Sequence, residues 1–258
     1  RFFDPVSRQL RTLQELGERY VAAGGTHLVS HRVGAIDLHR DGHTVTLKGP
    51  AGEVTVRARW VVDATGRAST LKRKLGLLEP NDHTANAVWF RVDEEIDLDD
   101  FCADPAWRAR VKPGLRRLST NHLMGDGYWV WFIPLASGST SVGIVTDGPQ
   151  HDLKAMSTPA GALRWLEEHE PLAAKAVAHH MDRLQDFLLL RHYSHHSGAM
   201  FGPLRWALTG DAGAFLDPFY SPGSDFIALA NSYITDLVLR DLDGERIRSR
   251  VGEYNRTY

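Results

Sequence analysis

Hydrophobic positions recur along the chain in two different periods, and the changes of period mark its elements. Val6, Leu10, Leu13, Tyr20 and Val21 fall at helical spacing. They predict a first helix that starts at Asp4-Pro5, with Asp4 as cap and Pro5 in the first position, and stops at Ala22-Ala23-Gly24-Gly25. Strand-like runs follow at 26–30, 33–39, 43–48 and 53–59. Asp41-Gly42 and Gly49-Pro50-Ala51-Gly52 supply turns between them, which predicts a small antiparallel meander. Trp60-Val61-Val62 is apolar throughout and predicts a strand buried on both faces, as in a parallel sheet. It ends in the small-residue turn Asp63-Ala64-Thr65-Gly66, and a short helix is predicted over 69–75.

From about Gly76 to Pro203 the pattern becomes that of irregularly spaced strands between Gly- and Asp-rich turns. Strands are predicted at 85–92, 118–124, 128–134, 139–146 and 187–193, and helices at 158–169 and 172–180. Such an order suits a mostly antiparallel sheet with helices on one face. Trp129 and Trp131 stand two apart on a strand and so share a face. On this pattern alone they are either core filling between sheet and helices or the wall of a site.

The last third is built around Gly210 to Phe226. The apolar run Trp206-Ala207-Leu208-Thr209 leads in as a strand. A helix from about Gly223 to Asp241 leads out, with Ile227, Ala230, Ile234, Leu237 and Val238 on one face. A strand, a loop punctuated by Gly and Pro, and a helix N-terminus make a site for a large polar ligand. Gly210 and Gly213 let backbone approach it, Asp211 accepts hydrogen bonds from hydroxyls, and the helix end favours negative charge. The plainer alternative is an ordinary turn, with Asp211 and Asp217 as turn residues and Ser224 or Asp225 as the helix cap. Asp243-Gly244 breaks the helix, and a more polar one is predicted over 245–258.

Composition narrows the function classes. The chain has 258 residues and a formal net charge of −2, so it carries no electrostatic footprint for nucleic acid. No apolar run spans a bilayer, and no membrane anchor is expected. The single cysteine, Cys102, allows no intrachain disulfide and points to a cytoplasmic location. His192, His195 and His196 lie close in sequence, but a strand would split His195 from His196 and no carboxylate completes a metal set. No metal is expected.

Three segments, taken in order, resemble the FAD-dependent monooxygenase superfamily and, within it, the flavin-dependent halogenases. They are Trp60-Val61-Val62-Asp63-Ala64-Thr65-Gly66-Arg67, Gly127-Tyr128-Trp129-Val130-Trp131-Phe132-Ile133-Pro134, and Gly210-Asp211 with Asp217-Pro218 and Ser221-Pro222-Gly223. The resemblance implies an α/β fold: an FAD-binding Rossmann-like domain of the glutathione-reductase type with an inserted, mostly antiparallel substrate domain. Residues 1–75 and 204–258 would form the FAD domain and 76–203 the substrate domain. It further implies that Asp63, Ala64, Thr65 and Gly66 lie along the adenylate part of FAD. Gly210 and Asp211 would hold the ribityl chain, while Pro218, Ser221, Pro222 and Gly223 lie against the isoalloxazine. Trp129, Trp131, Ile133 and Pro134 match the family's Trp-x-Trp-x-Ile-Pro motif, whose tryptophans keep substrate away from the flavin.

The implied activity is oxidation of halide with reduced FAD and O2, for halogenation of an electron-rich aromatic substrate. A separate flavin reductase, a halide and an aromatic or hydrophobic small molecule are the implied partners. A hydroxylase, an isoprenoid reductase and a non-catalytic flavin-binding paralogue remain as alternatives. The family's Gly-x-Gly-x-x-Gly fingerprint and its catalytic lysine are not found, and the chain opens on Arg1. The expectation is a chain lacking its first βαβ unit, with the catalytic lysine outside it, so that by itself it is incomplete for activity and binds FAD poorly or not at all. Lys72, Lys74, Lys112, Lys154 and Lys175 are expected on solvated faces. Where tryptophan halogenases carry a glutamate, this chain has Phe219-Tyr220-Ser221, and Pro222 removes one N–H from the loop expected to hold halide.

Overall fold

The structure, a computed structural model, describes residues 5–112, 114–219 and 221–258. In chain order the helices are α1 (Pro5–Ala22), α2 (Thr70–Lys74), α3 (Pro105–Arg108), α4 (Pro159–His169), α5 (Pro171–Ala178), α6 (Pro222–Leu242) and α7 (Arg248–Thr257). The strands are β1 (Arg32–Asp37), β2 (His43–Gly49), β3 (Gly52–Ala58), β4 (Val61–Asp63), β5 (Leu78–Glu79), β6 (Ala85–Val92) and β7 (Asn121–Gly125). They continue with β8 (Tyr128–Pro134), β9 (Thr140–Asp147), β10 (Leu184–Leu190), β11 (His196–Ser197), β12 (Phe201–Gly202) and β13 (Trp206–Leu208). Asp4, the predicted cap of α1, and Tyr220 lie outside the described residues, as do the side chains of Val6 and Leu10.

The chain divides into two compact units. One comprises residues 1–26 and 83–193, the other residues 27–82 and 194–258.

The first unit is centred on a five-stranded sheet of order β10-β6-β9-β8-β7, antiparallel throughout. The burial of β8 alternates, because one face of the sheet packs on α4 and α5, while the central β6 and β9 are buried along most of their length. Val88, Phe90, Val130, Phe132, Val142 and Ile144 point to that side and pack with Trp165, Leu166, Ala173 and Val177. Val130 and Phe132 therefore fill the space between sheet and helices, and Trp129 and Trp131 face the other way. This removes the core-filling reading of the two tryptophans. Their rings stand 5.5 Å apart, His122 meets Trp129 edge-on, and Trp131 Nε1 donates to Ser141 Oγ at 3.1 Å.

Trp131 is seated over Gly143 of the neighbouring strand, where an added Cβ would lie 2.1 Å from the ring. Gly143→Val is therefore expected to lift the indole off the sheet and cost about 1–3 kcal/mol by overpacking. Urea denaturation and a red shift of tryptophan emission measure both. Wild-type stability together with wild-type emission would contradict the seating.

In the second unit β1, β2 and β3 form the predicted meander, and β12-β13-β4 a three-stranded sheet in which β13 and β4 run parallel. Phe201, Trp206, Leu208, Ile234, Leu237 and Val251 are among its buried core.

Several expectations are corrected. Residues 26–30 form no strand: they find no pairing partner, and Ser30 adopts a left-handed φ of 58°. The strand β4 is parallel as expected, but it is an edge strand among the described residues, with Val62 43% exposed rather than buried on both faces. The strand predicted at 118–124 begins at Asn121, because Arg116–Leu118 tightens into a 3-10 turn. The strand predicted at 187–193 lies three residues earlier, at Leu184–Leu190, since Leu184 already pairs with Val92 and His192 turns left-handed at φ 43°. The helix α6 buries Ala230, Ile234 and Leu237, whereas Ile227 is 40% exposed. Its cap position is Ser221, in a left-handed conformation and without a side-chain capping bond, and not Ser224 or Asp225.

Candidate functional site

The second unit contains a pocket of about 640 Å³ where the turn Gly210–Ala212 meets the N-terminus of α6. The size falls in the range of small-molecule and cofactor sites. The turn follows β13 directly, and Gly210 takes φ +58°, which a side chain would oppose. The chain then runs through Phe215 to Pro218, reverses with Ser221 N–H donating to Pro218 O at 2.8 Å, and starts α6 with Pro222 in its first turn. Asp217 Oδ1 accepts from Phe219 N–H at 2.8 Å and shapes this reversal. Met200, Phe215, Phe226 and Ile227 supply apolar wall, Asp211 a carboxylate, and Ser221, Gly223 and Ser224 the helix end. The first N–H groups of a helix have no partner within it, and here no side chain caps them.

Of the residues singled out from the sequence, Gly210, Asp211, Pro218, Ser221 and Gly223 line this one pocket. Pro222 belongs to the same helix start without lining it. Asp63, Ala64, Thr65 and Gly66 are not part of the wall but form the turn beside it. Asp63 is 4% exposed and gives both carboxylate oxygens to backbone: Oδ1 accepts from Thr65 N–H at 2.8 Å and Oδ2 from Leu71 N–H at 2.6 Å. It thus holds the turn and starts α2. Trp129, Trp131, Ile133 and Pro134 are on β8 of the other unit.

Lys72 is the main correction at the site. It was expected on a solvated face, yet it is fully buried. Its Nζ donates to Gly213 O at 2.7 Å and meets His195 Nδ1 at 2.9 Å. The short helix α2 turns Lys72 toward the Gly210–Gly213 backbone, and no spacing rule exposes that. His195, left in a histidine cluster by the sequence, is tied into the same place by a two-way backbone bridge with Phe215, 2.9 Å each way. Asn255 of α7 was also missed. Its Oδ1 accepts from Met200 and Phe201 N–H at 2.9 and 3.0 Å, fixing another pocket wall.

Burial shapes the charges here. Burial pushes the Asp211 carboxyl above its usual value, against the pull of Arg67. Burial, then Arg73, push Lys72 down to about 8, with Asp63 opposing. Burial, then the charges of Lys72, Arg73 and Arg67, push His195 down to about 4.

A folded value below the unfolded one means that, on acidification, the unfolded chain takes up the proton first. The contribution of neutral His195 to stability is therefore complete above about pH 6.5 and is lost as pH falls toward 4. His195→Gln is expected to flatten the stability profile between those two values. Chemical denaturation at a series of pH values checks it, and an unchanged slope would contradict the placement.

Taken together, the pocket offers backbone donors at a helix end, the carboxylates of Glu79, Asp211 and Asp217, and apolar walls. This is equipment for holding a ligand that brings its own reactivity.

No protein-family model matches the chain. It is 28% identical over 193 residues to the flavin-dependent halogenase chlA of Dictyostelium discoideum, covering 72% of this chain and 31% of that protein. It is 29% identical over 203 residues to the tetracycline 7-halogenase of Kitasatospora aureofaciens, covering 75% and 35% respectively. The chain thus spans about a third of the length of these curated relatives. The crystal structure of halogenase PltM in complex with phloroglucinol and FAD shares the fold, with a TM-score of 0.71 at 20% identity over 88% of this chain and 45% of that one. The resemblance read from the Trp-x-Trp-x-Ile-Pro segment and the Gly210–Gly223 stretch, and the fold class it implied, are borne out.

Proposed function

We propose, from a chain that shares sequence and fold with flavin-dependent halogenases, that its second unit holds the flavin of an FAD-dependent halogenating enzyme. The observation that carries this is the pocket itself. It brings Gly210, Asp211, Pro218, Ser221 and Gly223 together between a glycine turn and an uncapped helix end. Asp211 accepts hydrogen bonds from the ribityl hydroxyls, and Gly210 allows the backbone to come close. The α6 N-terminus stabilises negative charge on the ring or on a halide beside it. Once bound and reduced, FAD supplies the activation of O2 that oxidises the halide.

Donors for a halide are narrowed by the loop. Phe219 N–H is taken by Asp217, Ser221 N–H by Pro218 O, and Pro222 has none. Ser224 N–H donates to Ser221 O at 3.4 Å, which leaves Gly223 N–H as the donor at the helix start. In the other unit, the aromatic face of β8 with Trp129 and Trp131 serves an electron-rich aromatic substrate. Residues 83–193 are accordingly assigned to the substrate and the second unit to FAD.

The test has two stages. Denaturing the purified full-length protein should release a yellow chromophore with the FAD spectrum. With chemically reduced FAD, O2 and bromide or chloride, an electron-rich phenol or pyrrole should gain halogen, as read by mass spectrometry. A hydroxylated product that is indifferent to halide would turn the reading to a hydroxylase. Absence of flavin in the native protein and no affinity for added FAD would end it.

A further inference from the structure

We infer that Lys72 is a positioning residue for the flavin, its buried ammonium pinning the carbonyl of Gly213 and so setting the Gly210–Asp211 backbone that the ligand meets. The inference rests on the flavin reading and goes beyond it, because Lys72 does not line the pocket.

The geometry is that of a pin through three segments. Lys72 rises from α2, whose start is fixed by Asp63 through Leu71 N–H. Its Nζ reaches Gly213 O, the carbonyl just past the Gly210–Ala212 turn, at 2.7 Å. It also meets His195 Nδ1 at 2.9 Å, and His195 is in turn bridged to Phe215 on the pocket wall. Beside it Ser69 Oγ donates to Asp211 O at 3.4 Å, a second and weaker tie between the same two elements. A fully buried ammonium is costly unless it is hydrogen-bonded, and a methionine or leucine would fill the same space more cheaply. What the lysine adds over an apolar residue is a strong, directed donor at Gly213 O, since a charged donor holds a carbonyl more firmly than a neutral one.

The charged groups acting on Lys72 are Asp63 on β4 and Arg73 on α2 itself, with His195 at its Nζ, and Arg67 acts in turn on His195 and Asp211. Carboxylates and imidazoles ordinarily titrate on the acid side, and guanidinium groups keep their charge through the alkaline range. An alkaline change centred near pH 8 in this cluster therefore reports Lys72.

The experiment is an FAD titration of the purified full-length protein, followed by flavin fluorescence from pH 6.5 to 9.5, on wild type, Lys72→Met and Lys72→Gln. Wild type should bind FAD several-fold less tightly above pH 8 than below it. At pH 7 Lys72→Met should keep its circular-dichroism spectrum and lose roughly tenfold or more in affinity, the order expected for a lost charge-assisted hydrogen bond. Its alkaline limb should be gone. Lys72→Gln, which retains a neutral donor, should lie between the two and be flat with pH. Wild-type affinity with an unchanged alkaline limb in Lys72→Met would overturn the inference while leaving the flavin reading intact. Failure of wild type to bind FAD would instead overturn the flavin reading, and this inference with it. Should Lys72→Met not fold, the wild-type profile and Lys72→Gln decide: an alkaline limb absent from wild type, or still present in Lys72→Gln, overturns the inference.

Discussion

Replacing Asp211 is expected to separate stability from ligand binding, in opposite directions. Burial holds this carboxyl above its usual value, so the folded protein binds the proton more tightly than the unfolded chain does. A raised folded value has one sign. Its stabilising effect is present below the ordinary carboxylate range and is lost as pH rises through the folded value, so at neutral pH the protein carries the full cost of the buried charge. Asp211→Asn removes the charge and keeps the shape, and the empty protein should gain roughly 1 kcal/mol, the usual scale when a functional-site compromise is relieved.

Flavin binding should respond the other way. Hydrogen bonds to a charged group contribute about 1.5–3 kcal/mol, so Asp211→Ala should lower FAD affinity by roughly 10- to 100-fold. Thermal melts of the flavin-free proteins and FAD titrations of the same samples read both effects. A variant that melts earlier and still holds FAD at wild-type strength would remove Asp211 from the ligand and leave it a structural turn residue.

How far the fold could be read from residues depended on whether a pattern had a local cause. The strands Ala85–Val92 and Tyr128–Pro134 have the bounds predicted, the second because alternation with one face on helices writes itself into sequence. The helices Pro159–His169 and Pro222–Leu242 start within one residue of the predicted 158 and 223, each with a proline in its first turn. The run at 26–30 has a strand's composition but no strand beside it, and pairing is not a property of one segment. The shared face of Trp129 and Trp131 followed from period two, but which of the two faces they occupy depends on α4 and α5 packing against Val130 and Phe132.

The site divides in the same way. Gly210, Asp211, Pro218, Ser221 and Gly223 could be grouped because one short stretch carries them all. Lys72 is separated from Gly213 by 141 positions, and its place beside Leu71 on a five-residue helix gives no sign of burial. A lysine is normally solvated, so the prior pointed the wrong way. Only the tertiary approach of α2 to the glycine turn makes it part of the site.

Asp241 should be the most damaging single position in the second unit. It lies in the last turn of α6, 7% exposed, and one carboxylate serves three donors. Oδ2 accepts from Arg59 Nε at 2.7 Å and Trp60 Nε1 at 2.9 Å, and Oδ1 accepts from Arg205 Nε at 3.1 Å. Burial acts to raise its titration, but the bonds from Arg59, Trp60 and Arg205 outweigh it and hold the carboxyl below its usual value. The stabilisation is therefore present above the ordinary carboxylate range and is lost as pH falls through the folded value.

Asp241→Ala takes the carboxylate from two guanidinium groups and an indole N–H, leaving Arg59 and Arg205 only their bonds to the Asp241 and Arg40 carbonyls, and breaking a buried pair from one side costs about 3–5 kcal/mol. Arg59 is 47% exposed at its side chain and can recover some hydration, which places the expected loss near the lower end. The bonds join the C-terminal end of α6 to residues flanking β4 and β13, the parallel pair that leads to the pocket. Loosening that end releases the helix whose other end lines the ligand site. Bound FAD should consequently restore part of the lost stability, in proportion to the logarithm of its concentration over its dissociation constant. Denaturant titrations with and without saturating FAD measure the loss and the recovery together. A loss below about 1 kcal/mol, the size of an exposed ion pair, would mean that solvent already screens this cluster and that α6 is fastened by its apolar face alone.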